Sequence, residues 1–317
     1  MEGARMRIAL FGSGWIQNMH AQAVLDHPRG ELVAATNWRE ESLAKLAGRF
    51  RIPRTTTDWW KVAEAEDVEA VVIATPNVLH AEQAIACLRA GKHVLVEKPM
   101  AMSVAEADVM VNTARDSGRS LMVGHCWRFH PQVIAVRDQI AGGELGEVVK
   151  TRGYGIHKEW GPSGWFTKRA LAGGGALIDM GVHAIDTVRF LIGDTEPTRV
   201  CAVIGTRYGA YDVDDDGVVL ISWSNGTNSI VEAGWWQQHV GGLEADTEIY
   251  GTKGYTRIFP TQVPKDYEHA PQSMYSAQMA AFIDAISEGR EPKPSGEDGR
   301  IVMRVVEEAY RSAKERG

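Results

Sequence analysis

Through the first third of the chain, short and almost wholly apolar runs alternate with longer runs in which apolar residues recur every three or four positions. The first kind, at residues 6–11, 31–36, 69–75, 93–97 and 120–124, reads as strands, and the second, at 15–26, 40–50, 78–90 and 103–116, as helices. Ala70-Val71-Val72-Ile73-Ala74 has no polar position at all, the pattern of a strand covered on both faces in a parallel sheet. Gly91 and Gly118 stand where helix C-caps belong. Strand and helix in strict alternation predict a doubly wound α/β domain over residues 1–123.

Beyond residue 124 the alternation stops. A helix at 131–141 leads to a strand at 147–156, and a helix beginning near Asp179 runs to about residue 191. Strands are then expected at 198–206, 217–223, 227–236, 247–250 and 255–259, with Asn225-Gly226 and Gly251-Thr252-Lys253-Gly254 as their turns. Strands without intervening helices imply an α+β domain over 124–317 built on an open, mostly antiparallel sheet. Residues 261–273, polar and proline-bearing, read as a surface loop, and helices at 276–288 and 297–314 close the chain.

Length and composition narrow the class. The 317 residues suffice for two domains, and 44% hydrophobic with 24% charged residues is ordinary for a globular protein. A net charge of −7 argues against a nucleic-acid partner. Cys87, Cys126 and Cys201 are too scattered for a disulfide framework, and no ligand cluster has metal spacing, so no metal is expected. No apolar run approaches the roughly 20 residues that span a bilayer, so no membrane partner is expected. The first strand begins so early that no room is left for a signal peptide, and a reducing cytoplasm is the expected setting.

The first strand runs into Gly12-Ser13-Gly14-Trp15-Ile16-Gln17. A glycine turn between a buried strand and a helix lets backbone approach a pyrophosphate at the helix N-terminus. Gln17 replaces the usual third small residue. The second strand ends at Asn37-Trp38-Arg39, where a dinucleotide domain usually places a carboxylate against the ribose hydroxyls. A neutral Asn37, an Arg39 able to meet a 2′-phosphate and a Trp38 able to stack near adenine favour NADP over NAD. Thr75-Pro76-Asn77, with His80 opening the next helix, and Glu97-Lys98-Pro99 end further strands at the edge where ligands bind.

In the second domain, Gly173-Gly174-Gly175 precedes Asp179 and His183, a carboxylate and an imidazole four residues apart and therefore on one helical face. Tyr154 and His157 on the preceding strand and its exit, with Arg152 beside them, and Trp165 before the glycine run are candidate substrate contacts. Trp160, Trp235, Trp236 and His239 join them as aromatic surfaces suited to sugar rings. The run Asp214-Asp215-Asp216 reads as a solvated turn before a strand.

Together these motifs, with His20, Arg128-Phe129-His130-Pro131 and Gly296-Glu297-Asp298-Gly299, resemble the Gfo/Idh/MocA oxidoreductases over nearly the whole chain. The resemblance implies a Rossmann domain followed by an α+β domain, and a homodimer or homotetramer formed through the second sheet. It implies hydride transfer between NAD(P) and a secondary hydroxyl or ketone of a sugar, polyol or derivative. By the resemblance Gly12, Ser13, Gly14, Trp15, Ile16, Asn37, Trp38, Arg39, Thr75, Pro76, Asn77, His80, Glu97, Lys98 and Arg128 face the cofactor. Lys98, Tyr154, His157, Trp165, Asp179 and His183 face the substrate. Where many relatives have Trp-Arg before the glycine run, this chain has Trp165-Phe166. Lys98, Asp179 and His183 are the catalytic candidates: His183 as base and acid, Lys98 as the cation beside the developing alkoxide, Asp179 holding His183 or a neighbouring hydroxyl. Lys98 and His183 can also exchange roles. A non-catalytic cofactor or sugar sensor, and an enzyme that returns the hydride to its substrate with the cofactor retained, stand as alternatives.

Overall fold

A computed structural model describes residues 5–238, 243–259 and 270–315. The chain forms two compact units. The first comprises residues 1–101, 105–126 and 271–300, and the second residues 102–104, 127–270 and 301–317. The units are interleaved along the chain: residues 102–104 belong to the second and residues 271–300 to the first, where the sequence pattern predicts a single division after residue 123.

The first unit alternates as expected: β1 (Met6–Phe11), α1 (Trp15–Asp26), β2 (Gly30–Thr36), α2 (Glu40–Phe50), β3 (Thr55–Thr56), α3 (Trp59–Ala63), β4 (Ala70–Ile73), α4 (His80–Arg89), β5 (His93–Glu97), α5 (Val104–Ser117) and β6 (Leu121–Gly124). The six strands are ordered β3-β2-β1-β4-β5-β6 and every pairing is parallel. All four residues of β4 are buried, as two covered faces require. The two-residue β3 and the short α3 carry too little periodicity to be seen in sequence. Gly91 and Gly118 adopt φ of +80° and +62° and close their helices as C-caps.

The second unit contains α6 (Pro131–Ala141), β7 (Val148–Ile156), α7 (Arg169–Ala172), α8 (Val182–Leu191), β8 (Pro197–Gly205), β9 (Asp216–Trp223), β10 (Asn228–Gly234), β11 (Ala245–Gly251) and β12 (Tyr255–Arg257). Its sheet is ordered β12-β11-β7-β10-β9-β8, antiparallel throughout except where β10 runs parallel to β7. The parallel pair lets β7 sit at the centre of the sheet although it is first in sequence. Phe190 and Leu191 of α8 and Val133 and Val136 of α6 pack with Ile249 of β11 and Phe259 into a buried apolar cluster.

Of the closing helices, α9 (Gln272–Ser287) joins the first unit and packs on α1. Ser276 donates to Asp26 at 2.5 Å and Gln272 to the Met19 carbonyl at 3.0 Å. The last helix, α10 (Gly296–Glu315), begins in the first unit and continues in the second. The loop expected at 261–273 falls largely outside the described residues, as does His239. Among the described residues no helix is long and apolar enough to cross a membrane.

Candidate active site

The turn after β1 is built around Gly12, whose φ of +104° and whose missing Cβ, which would stand 2.4 Å from the Ala74 carbonyl oxygen, exclude any other residue. Gln17 takes the place of the third small residue for a structural reason. It is fully buried and its amide donates to the Val72 carbonyl at 3.2 Å, tying α1 to the sheet. At the N-terminus of α1 no side chain caps the first turn, and nothing lies within 4 Å of where a Gly14 Cβ would stand. A helix N-terminus without a side-chain cap, beside a glycine with room around it, fits an anionic ligand such as a dinucleotide pyrophosphate.

Behind this turn Asn37 donates to Ser13 Oγ at 2.5 Å and to Ser42 Oγ at 3.0 Å, and the two hydroxyls are 2.8 Å apart. Ser42, in the first turn of α2, went unnoticed in sequence because a lone serine there reads as surface. The Arg39 guanidinium lies 4.5 Å from the centre of the Trp38 ring, which is 66% exposed. Cation and ring form one pre-stacked, solvent-facing pair.

Four of the residues expected to face the cofactor, Glu97, His80, Thr75 and Arg128, also hold partners within the protein. Glu97 receives a 2.7 Å hydrogen bond with His20 and accepts from the Lys98 N–H at 3.1 Å. Burial opposes the carboxylate charge, but the His20 hydrogen bond and the Lys98 charge hold its pKa below the ordinary value. Glu97 is therefore an anchor for the Glu97-Lys98-Pro99 turn. His80 Nδ1 and Nε2 lie 2.8 Å from the Pro99 and Thr75 carbonyl oxygens, and because burial lowers its pKa the neutral ring donates its one N–H to one of them. It staples together the turns that follow β4 and β5. Thr75 completes this arrangement by donating to Gln83 at 2.7 Å, next to a buried Asn77. Arg128 belongs to the second unit: it grips both oxygens of Asp186 at 2.8 and 2.7 Å and pairs with Asp194 at 2.9 Å, with its side chain 4% exposed. The two carboxylates answer its charge and hold the guanidinium in place.

In the second unit the segment carrying Asp179 is a π-turn (Leu177–Gly181) that passes into α8. Insertions of this kind are frequent at functional sites. Asp179 is buried and accepts from Trp235 Nε1 at 3.1 Å, with His157 Nε2 at 3.7 Å. His157 Nδ1 meets Glu244 at 3.0 Å, and Trp160 Nε1 donates to the same carboxylate. The His157 and Trp160 rings lie 3.6 Å apart. Burial works against the imidazolium, yet bonds to Asp179 and Glu244 outweigh it and raise the His157 pKa. The same contact lowers that of Glu244 against the effect of burial. His183 lines a small cavity of about 10 Å³ with Trp127, Tyr154, Asp246 and Phe259. The Trp127 ring stands edge-on to His183 at 6.4 Å. Tyr154 shares that cavity, and burial pushes its hydroxyl up to about 12. Arg152 pairs with Glu232 at 2.9 Å and Trp165 stacks on Phe166 at 3.8 Å. The structure therefore joins His157 to Asp179 but gives Arg152 and Trp165 other partners. Glu244 was missed, since nothing around a lone glutamate ahead of a strand marks it.

The run Asp214-Asp215-Asp216 is not a solvated turn. Asp214 is 3% exposed and accepts from the N–H groups of Gly175 and Leu177 at 2.8 Å and from the Tyr310 hydroxyl at 2.7 Å. Asp215 is fully buried and collects the Arg207, Tyr208 and Gly209 N–H groups and the Tyr211 hydroxyl. Asp214 thus fixes the glycine loop and the start of the turn that carries Asp179.

Two family descriptions match the chain: "Oxidoreductase family, NAD-binding Rossmann fold" over residues 6–125 and "GFO/IDH/MocA C-terminal domain" over residues 133–257. A 1,5-anhydro-D-fructose reductase of Ensifer adhaerens is 31% identical over 310 residues, covering 92% of each chain. An inositol 2-dehydrogenase of Rhizobium meliloti is 29% identical over 332 residues, covering 98% of each. Among solved structures, levoglucosan dehydrogenase in complex with NADH and levoglucosan superposes with a TM-score of 0.88 at 26% identity, covering 99% of this chain and 98% of that one.

Proposed function

Since the chain belongs to the Gfo/Idh/MocA oxidoreductases and is an NAD(P)-dependent enzyme acting on CH–OH groups of sugars, polyols or their derivatives, we propose that Lys98, Asp179 and His183 carry its proton chemistry and that NADP is its preferred cofactor. The observation that supports the catalytic assignment is Asp179 itself: a buried carboxylate held by an indole N–H and an imidazole, one turn before His183. The bound nicotinamide supplies the hydride acceptor or donor. In the oxidising direction His183 takes the proton from the substrate hydroxyl, its imidazole type being suited to proton exchange near neutral pH. The Lys98 ammonium stabilises the developing alkoxide, and in reduction polarises the carbonyl. Asp179, oriented by Trp235 and His157, accepts a hydrogen bond from the adjacent substrate hydroxyl and so fixes the reacting carbon. His157 and the Trp160 ring beside it offer a flat face to a sugar ring. Substrate reaches a cytoplasmic homodimer or homotetramer in this reading.

For the cofactor, Ser13 and Asn37 put neutral hydrogen-bonding groups where a carboxylate would repel a 2′-phosphate, and Arg39 supplies the charge to hold one. Tryptophan fluorescence titration with NADPH and NADH tests this, with wild type and Arg39→Ala; the ten tryptophans supply the signal. Tight NADPH binding that weakens about tenfold or more in the variant is expected. Equal or better NADH binding overturns the cofactor preference and leaves the enzyme class intact. Net nicotinamide reduction during turnover separates a dehydrogenase from an enzyme that returns the hydride.

A further inference from the structure

At the end of the first unit's sheet where β5 and β6 begin, opposite the strand ends that carry the cofactor turns, lies a cavity of about 470 Å³. That volume is in the range of small-ligand sites. Its floor includes Val111, Leu121 and Ile286, and its cationic side chains are Arg115, Arg119 and Arg290.

The contacts of His93 at this cavity fix its tautomer. The Ser120 N–H donates to His93 Nδ1 at 3.0 Å, so Nδ1 must present its lone pair. Burial, helped by the Arg119 charge and opposed by Glu69, pushes the His93 pKa down to about 4, and the ring is neutral at neutral pH. Its one proton therefore sits on Nε2. That nitrogen is 3.3 Å from Arg119 Nη1, and a guanidinium nitrogen can only donate. Two N–H groups thus converge on one point of the cavity wall.

The surrounding charges leave the cation unanswered. Among the described residues Arg119 makes no ion pair. Arg115 lies 3.5 Å from Asp116, and Arg290 pairs with Glu288. At the rim, Glu291 is 3.5 Å from Lys293 and Glu297 pairs with Arg300, while Glu69 is held by Arg7 at 3.2 Å.

We propose that this cavity binds a small organic oxyanion, one oxygen of which accepts from both His93 Nε2 and Arg119. A phosphate ester and a carboxylate share that chemistry. The test is ring-nitrogen NMR of the histidines in the full-length protein, titrated at constant ionic strength with inorganic phosphate and, separately, with acetate. A saturable shift at His93 Nε2 is expected with at least one probe. His93 should also titrate higher than about 4 when the site is filled, because a neighbouring anion favours the imidazolium. Response to phosphate identifies a phosphate ester, and response to acetate a carboxylate. Arg119→Gln should weaken binding by about tenfold or more, since a charge-assisted bond is lost, and leave turnover measured without the anion unchanged. No saturable shift with either probe overturns the proposal. So does binding that survives both Arg119→Gln and His93→Gln; should the second variant misfold, the exposed Arg119 position decides alone.

Discussion

At His157 two carboxylates and an indole converge on one imidazole, and the charge state of that ring becomes a property of the fold. Its pKa is raised from an ordinary value of 6.5, burial being outweighed by Asp179 and Glu244. A raised folded-state value means that the stabilisation is fully present below pH 6.5 and disappears as pH climbs through the folded-state pKa. The melting-temperature difference between wild type and His157→Gln should therefore be greatest near about pH 6 and shrink on the alkaline side. A difference that does not change with pH would rule out an imidazolium between those carboxylates. Lys98→Ala and His183→Ala should each lower kcat by about 10²- to 10⁴-fold, the usual contribution of a positioned proton-transfer group. Cofactor affinity, followed by fluorescence, should change little in either. Wild-type turnover in either variant removes that residue from the mechanism.

The glycine loop and the π-turn after it form one element with Asp214 as its external cap. A Cβ on Gly175 would stand 1.7 Å from the Asp214 carbonyl oxygen, so the loop closes on that backbone only with glycine in place. Asp214→Ala leaves two buried N–H groups and the Tyr310 hydroxyl unanswered. At about 1–3 kcal/mol for each buried unsatisfied group, a stability loss of about 3 kcal/mol or more is expected. Because Asp179 lies on this element, kcat should fall while cofactor affinity holds. Tyr310→Phe removes one hydrogen bond and should cost about 1 kcal/mol. Chemical denaturation beside steady-state kinetics checks both, and an Asp214→Ala enzyme of native stability and turnover would show the cap to be dispensable.

At the scale of the whole molecule, each unit carries a six-stranded sheet, but the two are covered differently. The first is buried on both faces. In the second, Val219, Ile221 and Trp223 of β9 turn inward, while Val218 and Leu220 face outward at 42% and 53% exposure. Val203 of β8, paired with Val218 in register, is 69% exposed, and Val149 of β7 46%. Apolar side chains on an open sheet face favour association, in line with the proposed homodimer or homotetramer. Sedimentation velocity should show a wild-type oligomer that Leu220→Glu with Val203→Glu shifts to monomer. A monomeric wild type would exclude assembly through this face.

Periodicity alone determined the alternating first domain, the strand-rich second one and the positions of most elements, because burial on two faces, on one face or along a helical stripe leaves distinct patterns in a linear chain. Local motifs likewise marked Gly12 and the segment from Gly173 to His183, since turns and helix starts are specified by near neighbours. What a side chain does with its charge was decided by partners far along the chain. Asp214 reads as a surface aspartate until Gly175 and Tyr310 surround it, and nothing near Arg128 in sequence announces that Asp186 and Asp194 pair with its guanidinium. The contacts of Glu97 with His20 and of His80 with two distant carbonyls are likewise invisible in the sequence. A buried charge must be answered, and which residue answers it depends on tertiary folding, which no spacing in the sequence records.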